Sequence, residues 1–304
     1  MIPDNICGSA ALTGISVKTI TAIPQGLSAD RKYLVETTDG GRLFLRVSLA
    51  SNAARKRAEY AMTAHAYAHG IPAPEPLGFG MWENDESCYA LFRWIDGTDA
   101  YTKLADMPPQ SHYALGEKTG ELLRRIHSVP LPAAADVTPD PVGRKIAKWL
   151  ALYDENTSVH CETGETIVRF LTVHRHMPSP CPQTFIHGDY NPENIITGRD
   201  GAVSVIDFNS YNAVVSDPWS ELSNMAWMPV LYPRYHAGQI DAYFGGEPPD
   251  AFWQALRRGL ALDALAALTD SYGLNGVDNG LEIAGRILAW MDGFRNLKPT
   301  WYTQ

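Results

Sequence analysis

The sequence predicts an α+β protein, with an antiparallel sheet in its first part and mostly helices after it. Residues 15–47 alternate apolar and polar side chains at the period of a strand and contain the turn Thr38-Asp39-Gly40-Gly41. From Gln110 onward, apolar residues recur at helical spacing in several long segments. Charge divides the chain in the same way: residues 1–95 hold nine acidic and nine basic residues, so the whole net charge of -9 lies in residues 96–304.

The first part of the chain reads as strands around one helix. Alternation and β-rich composition predict an antiparallel meander, and helical spacing predicts the helix that follows it. The segment Gly70–Gly78 contains three prolines, which favour an extended chain. The predicted elements are strands Ile15–Ile23, Lys32–Thr37 and Arg42–Val47, helix Asn52–His69 and strand Tyr89–Phe92.

The second part reads as helices of a packed core. Leu, Ala, Ile and Trp recur there every three or four residues, which is typical of helices with one buried face. Asp217 precedes Pro218, and an aspartate before a proline favours the start of a further helix. The longer predicted helices are Gln110–His127, Lys145–Tyr153, Glu165–His176, Asp250–Tyr272 and Asp278–Leu297.

Composition limits the class of protein. With 45% hydrophobic and 19% charged residues among 304, we expect a folded chain rather than a disordered one. No apolar run reaches the ~18 residues of a membrane helix, and the start lacks a signal peptide, so we expect no membrane partner and a cytoplasmic location. The net charge of -9 argues against binding a nucleic acid. The four cysteines share no metal or redox spacing.

The stretch from Phe185 to Phe208 carries the chemistry. Ile195-Ile196 and Val203–Ile206 read as a hairpin that turns at Asp200-Gly201, which brings Asn194 and Asp207 to the same end. Amide and carboxylate oxygens suit Mg²⁺, which completes its coordination with water and substrate phosphate. Asp189, five residues before Asn194, is predicted to accept a proton from a hydroxyl. The alternative is a hairpin with exposed polar ends.

These residues form two motifs, His187-Gly188-Asp189 followed by Asn194, and Ile206-Asp207-Phe208. The pair resembles the catalytic-loop and metal-binding motifs of the aminoglycoside phosphotransferase family, which are similar to those of protein kinases. The resemblance implies a two-lobed protein-kinase-like fold, with a small sheet lobe over residues 1–94 and a larger, mostly helical lobe over residues 95–304. It also implies the metal role for Asn194 and Asp207 and the base role for Asp189.

Further site residues follow from the resemblance. Gly26-Leu27-Ser28 is similar to the family's phosphate-covering loop, in which Ser28 would contact a phosphate. Arg46 stands where the family has a lysine that reaches the α/β-phosphates; an exposed strand residue is the alternative. Glu59 would form an ion pair with Arg46 on that strand, or else form local ion pairs with Arg55 or Lys56. The Arg93 carbonyl and the Ile95 amide would contact the nucleotide base.

The implied reaction transfers the γ-phosphoryl group of ATP or GTP, with Mg²⁺, to a hydroxyl of an aminoglycoside. Acidic residues on both sides of the catalytic loop favour a polycationic acceptor, and Glu221 is counted among them. A kinase of the same fold for a macrolide, choline, homoserine or a sugar is the alternative. A protein kinase is a second alternative, and a non-catalytic nucleotide-binding module is a third, which Arg46 keeps open. We expect a monomer or a homodimer.

Overall fold

A computed structural model describes residues 10–24, 29–82, 86–133, 135, 137–178, 181–209, 214–223, 231–269 and 277–302. The chain folds into two compact units. The first comprises residues 1–99 and 194–213, and the second comprises residues 100–193 and 214–304. The predicted domain boundary at residue 94 is not tested by this division and stays a prediction.

The first unit is built on a five-stranded antiparallel sheet in the order β1-β2-β3-β5-β4, against which one helix packs. The chain of this unit also contributes a small sheet in the order β6-β8-β9. Its elements are β1 (Val17–Ala22), β2 (Arg31–Thr37), β3 (Arg42–Leu49), α1 (Ala53–Ala68), β4 (Pro76–Trp82), β5 (Ser87–Arg93), β6 (Thr98–Asp99), β8 (Ile195–Thr197) and β9 (Val203–Val205).

Alternation along the central strands creates the core of the first unit. In β2, Tyr33 and Val35 point inward, and in β3, Leu43 and Leu45 do the same, while the intervening residues are more exposed. Leu91 of β5 joins this buried cluster. The opposite face of β3 carries Arg46, whose neighbour across the ladder is Lys32.

The second unit is mostly helical, with one short pair of strands, β7 and β10. Its most buried helix, Asp250–Thr269, packs against four others of the same unit. None of the helices in the described segments is long and apolar enough to cross a membrane. The elements are α2 (Ala100–Asp106), α3 (Pro109–His127), α4 (Pro141–Glu155), α5 (Glu162–His174), β7 (Thr184–Phe185), β10 (Val215–Ser216), α6 (Ser220–Ser223), α7 (Pro233–Phe244), α8 (Asp250–Thr269) and α9 (Val277–Trp290).

Most predicted elements are present, with differences at their ends. Helix α9 ends at Trp290 rather than at Leu297, because Asp292, Gly293 and Phe294 all have positive φ angles, which a right-handed helix cannot include. Strand β4 was predicted only as an extended segment. Helices α2 and α7 were not predicted.

Close helix packing holds α3 and α7 together through glycines. A Cβ atom added at Gly116 would lie 2.0 Å from the Tyr235 backbone oxygen, and one at Gly120 would lie 2.1 Å from the Gln239 backbone oxygen. From the other side, a Cβ at Gly238 would lie 2.3 Å from the Tyr113 backbone oxygen. Neither backbone can move alone, so these positions require glycine.

We therefore expect Gly120→Ala to lower the free energy of unfolding by about 1–3 kcal/mol, because the two helices must separate to admit the methyl group. Gly285→Ala in α9 is the matched control, since a Cβ there meets nothing within 4 Å. In a helix interior, alanine should raise stability by up to about 1 kcal/mol. Denaturant unfolding of both variants measures the difference, and equal effects would refute the close-packing argument.

Candidate active site

The hairpin of β8 and β9 places Asn194 and Asp207 at one end. Ile195 pairs with Val205, and the Ile206 amide donates a hydrogen bond of 2.8 Å to the Asn194 carbonyl. Asp207 follows directly, with a φ of +62° and a side chain that is 41% exposed. A positive φ is uncommon for aspartate and is often found at functional sites. The sequence-predicted hairpin thus exists, with both polar residues at its open end.

Arg46 forms an ion pair with Asp207. One guanidinium nitrogen lies 2.7 Å from the Asp207 carboxylate, and the Arg46 side chain is only 13% exposed. Burial alone lowers the pKa of Arg46, but Asp207, Asp30 and Glu59 outweigh it, so the net pKa lies above the ordinary value. Arg46 is therefore a fixed, charged residue and not a strand residue that faces water, as the alternative had it.

Glu59 of α1 lies at the centre of several cations. Its carboxylate is 3.1 Å from Arg55, 2.9 Å from Lys56 and 3.9 Å from Arg46. Both predicted kinds of pairing are therefore present, and the local ones are the shorter. The side chains of Glu59 and Lys56 are 8% and 7% exposed, so this pair is buried, whereas Arg55 is 39% exposed.

The chain leaves the sheet at the residues predicted to contact the base. Arg93 ends β5, where its amide donates to the Glu75 carbonyl at 2.9 Å and the next amide, of Trp94, donates to the Arg42 carbonyl at 3.0 Å. Ile95 follows outside any strand. The Arg93 side chain is committed to an ion pair with Glu75 at 2.7 Å, so only its main chain suits the predicted role. Ser28 lies outside the described residues.

The segment from His187 to Asp189, predicted to be part of the catalytic loop, lies in the second unit and is held by a buried carboxylate. Glu221 accepts hydrogen bonds from the amides of His187 at 2.9 Å and Gly188 at 2.7 Å, while His127 Nε2 lies 3.0 Å from the same group. Gly188 has a φ of +87°, which glycine adopts without strain. Burial raises the pKa of Glu221, but His127 and His187 outweigh it, so the pKa lies below its usual range and the carboxylate stays ionised.

Asp189 follows this anchored segment. Its amide donates to His187 Nδ1 at 3.2 Å, and its carboxylate accepts a hydrogen bond of 3.0 Å from the Asn191 side chain. The Tyr190 hydroxyl next to it donates to the Thr119 carbonyl at 2.7 Å, which ties the loop to α3. The loop is therefore fixed on both sides of Asp189, and its carboxylate is partly exposed.

Glu221 was expected among the acidic residues that face an acceptor, and this was wrong. Its side chain is fully buried and occupied by the catalytic loop. The sequence places Glu221 four residues after Asp217, at the start of a short helix, but no sequence pattern indicated its hydrogen-bond partners. His127 is also buried and pairs with Glu221.

The donor atoms at the hairpin end fit a hard cation. Asp207 offers an exposed carboxylate and Asn194 an amide oxygen, which are the ligand types that Mg²⁺ takes from proteins. No group of three or more His, Cys, Asp or Glu side chains within the described segments could hold a metal ion.

Comparisons with known proteins define the family. Three solved structures share the fold with TM-scores of 0.65 to 0.66. A choline/ethanolamine kinase family protein from Mesorhizobium loti is 17% identical, with 99% of this chain and 97% of that chain covered. A macrolide 2'-phosphotransferase from Brachybacterium faecium is 19% identical (94% and 98% covered), and an aminoglycoside 2''-phosphotransferase solved with GDP and kanamycin is 17% identical (92% and 96%).

These likenesses confirm the predicted kinase-like α+β fold. No curated protein sequence matches the chain. The sequence profile of the phosphotransferase enzyme family, however, matches residues 19–256, which is most of the chain. The protein therefore belongs to the phosphotransferase enzyme family of small-molecule kinases.

Proposed function

We propose that the protein transfers the γ-phosphoryl group of ATP or GTP to a hydroxyl of an aminoglycoside. The observation that carries this proposal is the anchored catalytic loop: Glu221 holds the backbone of His187 and Gly188, so Asp189 projects from a fixed segment. Phosphoryl transfer needs positioning and charge neutralisation more than covalent chemistry from the protein. A loop held in one conformation supports that task.

In this proposal each site residue has one role. Asp189 orients the acceptor hydroxyl and accepts its proton. Asn194 and Asp207 would hold Mg²⁺, which when bound neutralises charge on the phosphates. Arg46 would bind the α/β-phosphates through its guanidinium fork, Ser28 would add a donor, and the main chain at Arg93 and Ile95 would bind the base.

The acceptor assignment rests on exposed acidic residues of the second unit. Asp154 and Glu155 end α4, and Glu162 and Glu165 lie in the first turn of α5; all four are exposed. Such a group attracts a polycation and binds it with charge-assisted hydrogen bonds that weaken as salt rises. Glu221 no longer counts toward this surface, so the acidic set before the catalytic loop carries the argument.

Acceptor preference tests the proposal directly. Turnover of ATP and of GTP is measured with kanamycin, a macrolide, choline, homoserine and a simple sugar, each at low and high salt. We expect kanamycin to be phosphorylated and its KM to rise with salt. Turnover of a neutral or singly charged acceptor without kanamycin would refute the aminoglycoside assignment and retain the kinase. Nucleotide binding without any turnover would instead favour a non-catalytic module.

A cytoplasmic location also stays a prediction.

Asp189→Asn should lower kcat by about 10²-fold or more, the contribution typical of a general base, while nucleotide affinity is kept. The substitution preserves shape and the hydrogen bond from Asn191 to the remaining side-chain oxygen. Steady-state kinetics and titration with a non-hydrolysable nucleotide separate the two effects. Asp106→Asn, at the exposed end of α2, is the control for a general loss of charge. A kcat near that of the parent would remove Asp189 from the base role.

Glu221→Gln should lower kcat and also destabilise the protein by about 3–5 kcal/mol. An amide offers one acceptor oxygen where the carboxylate serves two backbone amides and His127. Unfolding in denaturant and kcat are measured together, with exposed Glu121→Gln in α3 as the control. If Glu221→Gln matched the control in both measurements, the carboxylate would not be what holds the loop.

A further inference from the structure

Lys56 is a buried cation that the proposed roles above leave unused. It lies in α1, its side chain is only 7% exposed, and its ammonium group lies 2.9 Å from Glu59 and 2.8 Å from Asp30. A lysine is almost never buried unless it is paired, because removing its charge from water is costly. The two short ion pairs, with Glu59 and Asp30, compensate the buried charge of Lys56.

Asp30 is the second partner of Lys56, and its position in the sequence links the pair to the predicted nucleotide site. It directly precedes β2 and comes two residues after Ser28, the residue predicted to contact a phosphate. The Asp30 side chain is 7% exposed. Burial raises the pKa of Asp30, but hydrogen bonds from Lys56 and Ser48 outweigh it, so the pKa lies below its usual value. Lys56 therefore pairs with an ionised residue near the start of β2.

Arg46 has a different main partner. Its guanidinium lies 2.7 Å from Asp207 but 3.9 Å from Glu59, whereas Lys56 lies 2.9 Å from the same Glu59 oxygen. The nearer cation to Glu59 is thus on the helix and not on strand β3. An arginine at position 46 reaches Asp207 while a lysine at position 56 neutralises Glu59.

We propose that Lys56 is a positioning residue for the nucleotide, which neutralises Glu59 and fixes Asp30 directly before β2. The inference rests on the proposed nucleotide site and adds a residue that no motif indicated. Because Lys56 satisfies Glu59, Arg46 is available to the phosphates and to Asp207. Lys56 itself contacts no substrate, so its removal acts on nucleotide binding through the placement of other groups.

Substitution of Lys56 separates this role from a structural one. Lys56→Met keeps the length and apolar stem but removes the charge, and Lys56→Arg restores it. Arg55→Met is the matched control, since Arg55 pairs with the same Glu59 carboxylate at 3.1 Å but is 39% exposed. We expect Lys56→Met to raise the nucleotide KM by about 10-fold to 10²-fold, with the acceptor KM unchanged. Lys56→Arg should recover part of the loss, and Arg55→Met should change the nucleotide KM less than twofold.

Binding measured without acceptor distinguishes the inference from the proposed function. Calorimetric titration with a non-hydrolysable ATP or GTP analogue and Mg²⁺ gives Kd for each variant. If the parent protein binds neither analogue, both the nucleotide site and the inference fail. If the parent binds and Lys56→Met binds equally well, only the role of Lys56 is refuted. Should Lys56→Met not fold, Asp30→Asn removes the same pair with little change of shape, and its Kd decides by the same two outcomes.

Discussion

The need to pair buried charge constrains the candidate functional residues within each unit. In the second unit, the carboxylate of Glu221 is removed from water and is stable only because two backbone amides and His127 satisfy it. Those amides belong to the predicted catalytic loop, so the backbone at His187 and Gly188 is held by the hydrogen bonds that this buried carboxylate requires. In the first unit, Glu59 imposes the same requirement on the cations around it. Buried carboxylates next to the candidate functional residues thus hold those residues in place.

Local patterns predicted what depends on nearby residues. The β8 and β9 hairpin, helix α1 and helix α3 follow from alternation, an Asp-Gly turn and helical spacing, and each is present within a few residues of its expected bounds. Strand β4 escaped detection because Gly78 and Gly80 weaken its pattern. Gly80 is nevertheless suited to its place, since the ring of Tyr89 on β5 lies where a Cβ would point.

Residues defined by long-range partners could not be predicted in this way. Glu221 looks like any acidic residue in the first turn of a helix, and its partners are more than thirty positions away in the chain. Lys56 and Glu59 lie at helical spacing, which favours a weak surface pair, and only their burial changes that interpretation. Helix propensity alone makes glycine unfavourable in α3, and only the close packing of α7 explains why glycine is present there. In each case the role of the residue depends on its contacts in the folded protein, which local sequence patterns do not indicate.

The arginine at position 46 is best understood together with Lys56. A lysine ammonium is a compact, strongly hydrated charge, whereas a guanidinium fork presents five donors in a rigid plane and is hydrated more weakly, which suits a buried position between groups. Arg46 is 13% exposed and contacts Asp207 closely, with Glu59 at the edge of ion-pair range. With Lys56 beside Glu59, the strand cation is not needed there, and a longer, forked side chain can be directed to the hairpin end. The departure at position 46 and the buried lysine on α1 are therefore two parts of one arrangement of charge.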